Sequence, residues 1–160
     1  MPRDLDRDAV IYLTHRQWEG KRELDSLQLT THGKLSYEHG EDVWRVSYKE
    51  SDVTGLSDTL TSVSLYPDGR VRISREGQIR QELDFIKGEQ LIEQRETPFG
   101  RMKFSIFTHE VDGTLNETGG DLRLGYVLSF NDRHTYSANV QFHITPRGFG
   151  LEENENRIKI

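Results

Sequence analysis

The sequence predicts an all-β fold, an antiparallel up-and-down meander of about 8–10 strands that closes on itself into a barrel. Three observations predict it. Apolar residues recur at every second position through most of the 160 residues, and a helical period is hard to find. Turn-forming residues break the alternation at short intervals, as in YPDGR at Tyr66–Arg70 and NDRH at Asn131–His134. Consecutive strands joined by short turns pair antiparallel, and a meander this long removes its edges only by closing or folding over.

The elements follow in order. Ala9, Ile11 and Leu13 share one face of a first strand. Leu27 and Leu29, then Leu35 and Tyr37, serve a second and a third strand around a turn at His32–Gly33. The stretch RELDSLQL fits a helical turn or two, but its Leu27 and Leu29 also alternate. Trp44, Val46 and Tyr48 make the next strand, followed by Val63 with Leu65 and by Val71 with Ile73. Ile79, Leu83 and Phe85 come next, then a short strand near Leu91 and one carrying Met102, Phe104 and Ile106. Gly119–Gly120 reads as a flexible loop before LRLGYVLSFNDRHTYSANVQFHI, Leu122–Ile144, which supplies the last two strands.

Parity constrains the registers, because side chains alternate between faces and a one-residue slip exposes the whole apolar set. At YPDGR, Tyr66 opposite Arg70 sets Leu65 against Val71, Val63 against Ile73 and Thr61 against Arg75. Pro67 presets the turn and Gly69 takes its left-handed position. At REGQI, a three-residue loop Glu76–Gln78 sets Arg75 against Ile79 and Ile73 against Gln81. In the last hairpin, an odd loop centred on Arg133 pairs Leu128 with Ala138, Tyr126 with Val140, Leu124 with Phe142 and Leu122 with Ile144.

This parity brings polar groups onto the apolar face: Arg75, Thr61, Gln81 and Glu50, with the hydroxyls of Tyr126 and Tyr136 and the large ring of Trp44. A buried arginine needs acceptors, because its desolvation is costly. Two readings of Arg75 stand side by side. It holds an anionic ligand group at the barrel mouth with its bidentate fork, or it forms an internal pair with Glu50 or snorkels at the rim.

Composition narrows the rest. The length suits one domain over residues 1–160, with residues 1–8 and 151–160 expected to fray. The chain has no cysteine, which removes disulfides, thiolate metal sites and thiol nucleophiles and suits a reducing cytoplasm. No apolar run is long enough for a membrane span or a signal-peptide core, so an unexported cytoplasmic protein is expected. A net charge of −6 with interspersed signs offers no overall attraction to nucleic acid. RMK at Arg101–Lys103 and DGRVRISR at Asp68–Arg75 are the basic hints, and alternating charge of this kind ordinarily solvates a strand.

Local signs of catalysis are lacking. His15, His32, His39, His109, His134 and His143 show no metal-ligand spacing and read as surface residues. No G-x-S-x-G elbow occurs, and neighbouring carboxylates such as Glu41–Asp42 point to opposite faces on a strand. The sequence therefore points to no catalytic residue, no metal and no cofactor, and more to a non-enzyme than to an enzyme.

The order of several short motifs is informative. SYKES at Ser47–Ser51, TGL at Thr54–Leu56, TLTSVSL at Thr59–Leu65, ISREG at Ile73–Gly77, LDF at Leu83–Phe85 and TPFG at Thr97–Gly100 precede the closing strands. In this order they resemble the YwiB-like family of small uncharacterised bacterial proteins. The resemblance covers roughly Leu29–Ile144. It implies a calycin-like (lipocalin-like) β-barrel and no known activity. The family pattern includes residues matching Arg75, Gly77 and Thr97–Gly100. Turn geometry explains the glycines; nothing local explains Arg75.

Three functions remain to be separated. The barrel binds a small apolar or amphipathic, anionic molecule, with Arg75, Thr61, Gln81, Tyr126, Tyr136 and Trp44 as its contacts. Alternatively, its outer face, with Phe107 and Val127, serves protein interaction or assembly, or a site built from distant strands is enzymatic. Oligomeric state is open in each case. An internal pocket of several hundred Å³ beside Arg75 would favour the first function, and a solid interior would sink it.

Overall fold

A computed structural model describes residues 4–50, 58–77 and 80–147. Ser51, the TGL motif, Gln78, Ile79 and the expected C-terminal tail lie outside them. Among the described residues ten strands carry the fold: β1 Leu5–Glu19, β2 Arg22–Glu38, β3 Val43–Lys49, β4 Leu60–Leu65, β5 Val71–Glu76, β6 Gln81–Phe85, β7 Gln90–Thr97, β8 Gly100–Asn116, β9 Gly119–Phe130 and β10 His134–Pro146. No helix occurs among the described residues. Leu5–Asp8, part of the expected N-terminal tail, belong to β1 and pair with Tyr37–Lys34.

The strands form one antiparallel sheet in the order β6-β5-β4-β3-β2-β1-β10-β9-β8-β7. The two terminal strands pair, Ala9–Trp18 against Pro146–Ser137, which curls the meander into a nearly closed barrel. One seam stays unpaired: β6 and β7 are consecutive in the chain yet stand at opposite ends of the strand order. Their connection bonds to β8 instead. Gly88 N–H donates to the Thr108 carbonyl (2.7 Å) and Thr108 N–H to the Glu89 carbonyl (3.1 Å).

The core is the predicted inner face. Ile11, Leu35, Val46, Val63, Val71, Leu122, Leu124 and Ile144 are essentially fully buried and belong to one cluster. Phe104 and Ile106 join it, whereas Met102, of the same parity, is exposed near the strand end. Phe107 faces Val127 on the outside and is 41% exposed.

His32–Gly33 is not a turn. Leu27, Leu29, Leu35 and Tyr37 lie on one continuous strand, β2, because their odd positions all share a face. Gly33 is needed there for close approach. A Cβ at this position would collide with the Ser47 carbonyl oxygen on β3 and lie 2.7 Å from Ile11 Cδ1. Gly33→Ala should therefore destabilise the protein by about 1–3 kcal/mol. An unchanged urea midpoint would show that β2 and β3 separate here without cost. Gly119–Gly120 likewise is no loop: it opens β9, opposite Asn116 and Leu115 of β8.

The YPDGR hairpin has the expected register, Leu65 facing Val71, Val63 facing Ile73 and Thr61 facing Arg75. Gly69 takes φ +91°, and Asp68 Oδ1 accepts from Arg70 N–H at 3.0 Å. Two other hairpins keep the expected parity but shift by two positions. Arg75 faces Gln81 rather than Ile79, and Ile73 faces Leu83 rather than Gln81. The longer loop sets apolar groups against each other and leaves Arg75 beside an amide.

In the last hairpin the loop is Asn131–Arg133, so Leu128 faces Tyr136, Tyr126 faces Ala138, Leu124 faces Val140 and Leu122 faces Phe142. Asn131 and Asp132 both adopt left-handed conformations (φ +51° and +57°), and this reverses the chain one residue earlier. Asn131 is also tied to Lys103: its N–H donates to the Lys103 carbonyl (2.7 Å) and its Oδ1 accepts from Lys103 N–H (2.8 Å).

Candidate functional site: the barrel cavity

Inward-facing stripes lose their apolar character at the same end of several strands. On β1, Ala9, Ile11 and Leu13 give way to His15; on β2, Leu29 and Leu27 give way to Asp25. Val46 on β3 is followed by Tyr48 and then Glu50, Ile73 on β5 by Arg75, and on β6 Leu83 is preceded by Gln81. The register joins Tyr48, Thr61, Arg75 and Gln81 into one cross-strand row. Period-two alternation thus delivers a polar cap over an apolar interior.

Under this cap lies a cavity of about 390 Å³. Leu13, Ile73, Leu83, Phe85, Val140 and Phe142 form its apolar wall, with Leu27 beside them. His15, Asp25, Tyr48, Glu50, Arg75 and Tyr126 form its polar wall. Barrel diameter grows with strand number, and a barrel of about eight strands has room to be filled or to hold one small ligand. Ten strands leave space that the large side chains do not fill.

The polar wall is organised by a few short contacts. Thr61, fully buried, donates from Oγ1 to Glu50 Oε1 at 2.7 Å. Arg75 donates from Nη1 to Gln81 Oε1 at 3.1 Å. It does not form the internal ion pair with Glu50 that the sequence left open. Its buried Nε has no hydrogen-bond partner among the described residues. Arg75 also borders a hollow at the β6–β7 seam, shared with Arg80, Gln81 and Glu93, so it stands between that hollow and the cavity.

Burial governs the ionisation of this wall. It pushes the Tyr48 hydroxyl well above the usual phenol range, helped by the charge and hydrogen bond of Glu50 and opposed by Arg75. It raises Tyr126 as well, again opposed by Arg75. Burial lowers His15 below its ordinary 6.5; Asp25 opposes this and Arg75 reinforces it. At neutral pH the two phenols keep their protons and the imidazole is neutral, so three hydrogen-bonding groups face the cavity without charge.

The six expected contacts separate into three kinds. Arg75 and Tyr126 line the cavity, and the Tyr126 ring lies 5.1 Å from Phe85 across the interior. Thr61 and Gln81 stand one bond behind, on Glu50 and Arg75. Tyr136 and Trp44 do not border it. Tyr136 packs edge-on against Phe130 (6.2 Å between centroids) and Trp44 tilts against Tyr37 (4.6 Å). His15, read as a surface residue, and Asp25, not singled out at all, belong to the wall. The signal was available: each shares the parity of its strand's apolar residues.

Elsewhere, the basic hints are matched by carboxylates. Arg72 reaches both oxygens of Asp84 (2.7 and 3.2 Å), Arg101 reaches Glu96 (3.4 Å) and Lys103 reaches Asp132 (3.2 Å). Among the described residues no group of three or more histidines and carboxylates is placed to hold a metal ion. Among the same residues no helix is long and apolar enough to cross a membrane.

Comparison with known proteins bears on this geometry. The family model described as "Domain of unknown function (DUF1934)" matches residues 11–144. The crystal structure of the ywiB protein from Bacillus subtilis is similar at a TM-score of 0.66 and 17% identity, over 86% of this chain and 92% of that one. At this identity the likeness speaks for the fold. No curated protein matches the chain.

Proposed function

The chain belongs to the DUF1934 family, consistent with its resemblance to the YwiB-like proteins, and for this member we propose a binding role: the barrel holds a small amphipathic molecule. One observation carries the reading, an interior space of about 390 Å³ that is apolar on one wall and polar on the other. In this reading the acidic head of the ligand meets Arg75 and Tyr126, and its body lies along Leu13, Phe85 and Phe142. Thr61 fixes Glu50, and Gln81 orients the Arg75 fork. The calycin-like architecture and a cytoplasmic setting fit the same role: a cysteine-free barrel that sequesters a small molecule.

A thermal-shift series of straight-chain fatty acids, with the matching alcohols as controls, tests the proposal. Decanoate should raise the melting temperature, since a ligand at about 100 times its Kd adds about 2.7 kcal/mol to stability. A flat response across all chain lengths would end the binding reading.

The wall favours a second reading, acid–base chemistry on the guest. A neutral His15 and two protonated phenols share one cavity with carboxylates. Conversion of the bound molecule, seen as new resonances in NMR spectra of the same titration, would move the assignment from binding to catalysis.

A further inference from the structure

We infer that the molecule this cavity takes carries a cationic, hydrogen-bond-donating centre beside its acidic group, an amino-acid-like head that lies between Arg75 and Asp25. The inference rests on the binding reading and adds the chemistry of the head. A guest with an acid alone would place its charge in a wall that already holds two carboxylates, Asp25 and Glu50, against one guanidinium. A buried charge is tolerated when it is paired, and here the buried Glu50 and the guest acid would share a single guanidinium.

The two carboxylates differ in what they have left to offer. Glu50 is buried and already accepts from Thr61. Asp25 sits at the solvent-exposed rim and makes no hydrogen bond or ion pair with the other described residues. It is therefore the acceptor that remains for an ammonium group. On the other side, Arg75 retains donor capacity beyond its bond to Gln81, with a buried Nε that has no partner among the described residues. His15 feels both the Asp25 carboxylate and the Arg75 guanidinium, and all three line the same cavity. A head that carries both an ammonium and a carboxylate addresses Asp25 and Arg75 together, and the apolar wall takes one aliphatic or aromatic tail.

Isothermal titration with three probes of equal chain length tests the inference: decanoate, 2-aminodecanoate and decylamine. The wild-type protein should bind 2-aminodecanoate about fivefold more tightly than decanoate, the size of a partly exposed charge pair. Asp25→Asn should remove this preference, weakening 2-aminodecanoate and modestly tightening decanoate, and leave the melting temperature unchanged, because Asp25 is exposed. Equal or tighter binding of decanoate by the wild type would overturn the inference and leave the binding reading standing. So would a preference that survives in Asp25→Asn, or decylamine binding as tightly as the amino acid. Failure of all three probes would remove both.

Discussion

Ile144→Ala should destabilise the protein by about 2–5 kcal/mol. Ile144 is 1% exposed and faces Ile11, itself fully buried, in the ladder between β1 and β10. That ladder joins the first and last strands of the meander, so every residue of the interior depends on it. A cavity left at this pair cannot be filled by sliding the strand, because a shift by one residue would turn Phe142 and Val140 outward. Equilibrium urea denaturation measures the effect. Ile11→Ala should act similarly, and the double variant should lose less than the sum of the two, since the residues share one contact. A loss below about 1 kcal/mol for Ile144→Ala would mean that the closing ladder contributes little to the fold.

Arg75→Ala should weaken decanoate binding by about 10- to 100-fold while leaving stability within about 1 kcal/mol of the wild type. Among the described residues Arg75 is joined to its neighbours by a single hydrogen bond, to Gln81, and it forms no pair with Glu50 whose breaking would strand a buried carboxylate. Loss of a charge-assisted bond to the ligand accounts for the binding change. Breaking a true buried ion pair destabilises by about 3–5 kcal/mol. A stability loss of that size with unchanged binding would make Arg75 a structural residue. Comparing the urea midpoint with the titration of one variant separates the two roles.

Much of this architecture was legible because β structure writes its faces into the sequence with a period of two. Val63, Leu65, Val71 and Ile73 identify an inner face, and the YPDGR turn fixes how they meet. Parity could not select among odd loop lengths. The hairpins at Glu76–Arg80 and Asn131–Arg133 therefore kept the correct face and moved by two positions. Nothing local announced that the connection between β6 and β7 would bond to β8 and leave a seam. Gly33 was misread because glycine signals both a turn and a close approach, and only the neighbouring strand decides between them.

The site divides along the same line. Arg75, Thr61, Gln81 and Tyr126 share parity with apolar partners; Arg75 and Tyr126 line the cavity, while Thr61 and Gln81 stand behind it. Tyr136 and Trp44 share that parity but lie away from the cavity, since parity gives the face of a strand and not the height along it. His15 and Asp25 were missed for a different reason. Each was judged by residue type, the one as a surface histidine and the other within an ambiguous polar stretch, before the parity of its strand was applied.

The central claim is that the interior is a binding site, and native mass spectrometry of protein purified from its own host tests it most directly. A second species should accompany the apo mass, heavier by one small molecule, and it should be lost in Arg75→Ala. Apo mass alone, together with no thermal shift from any fatty acid or amino-fatty acid, would contradict the claim and leave the cavity a packing feature of a wide barrel.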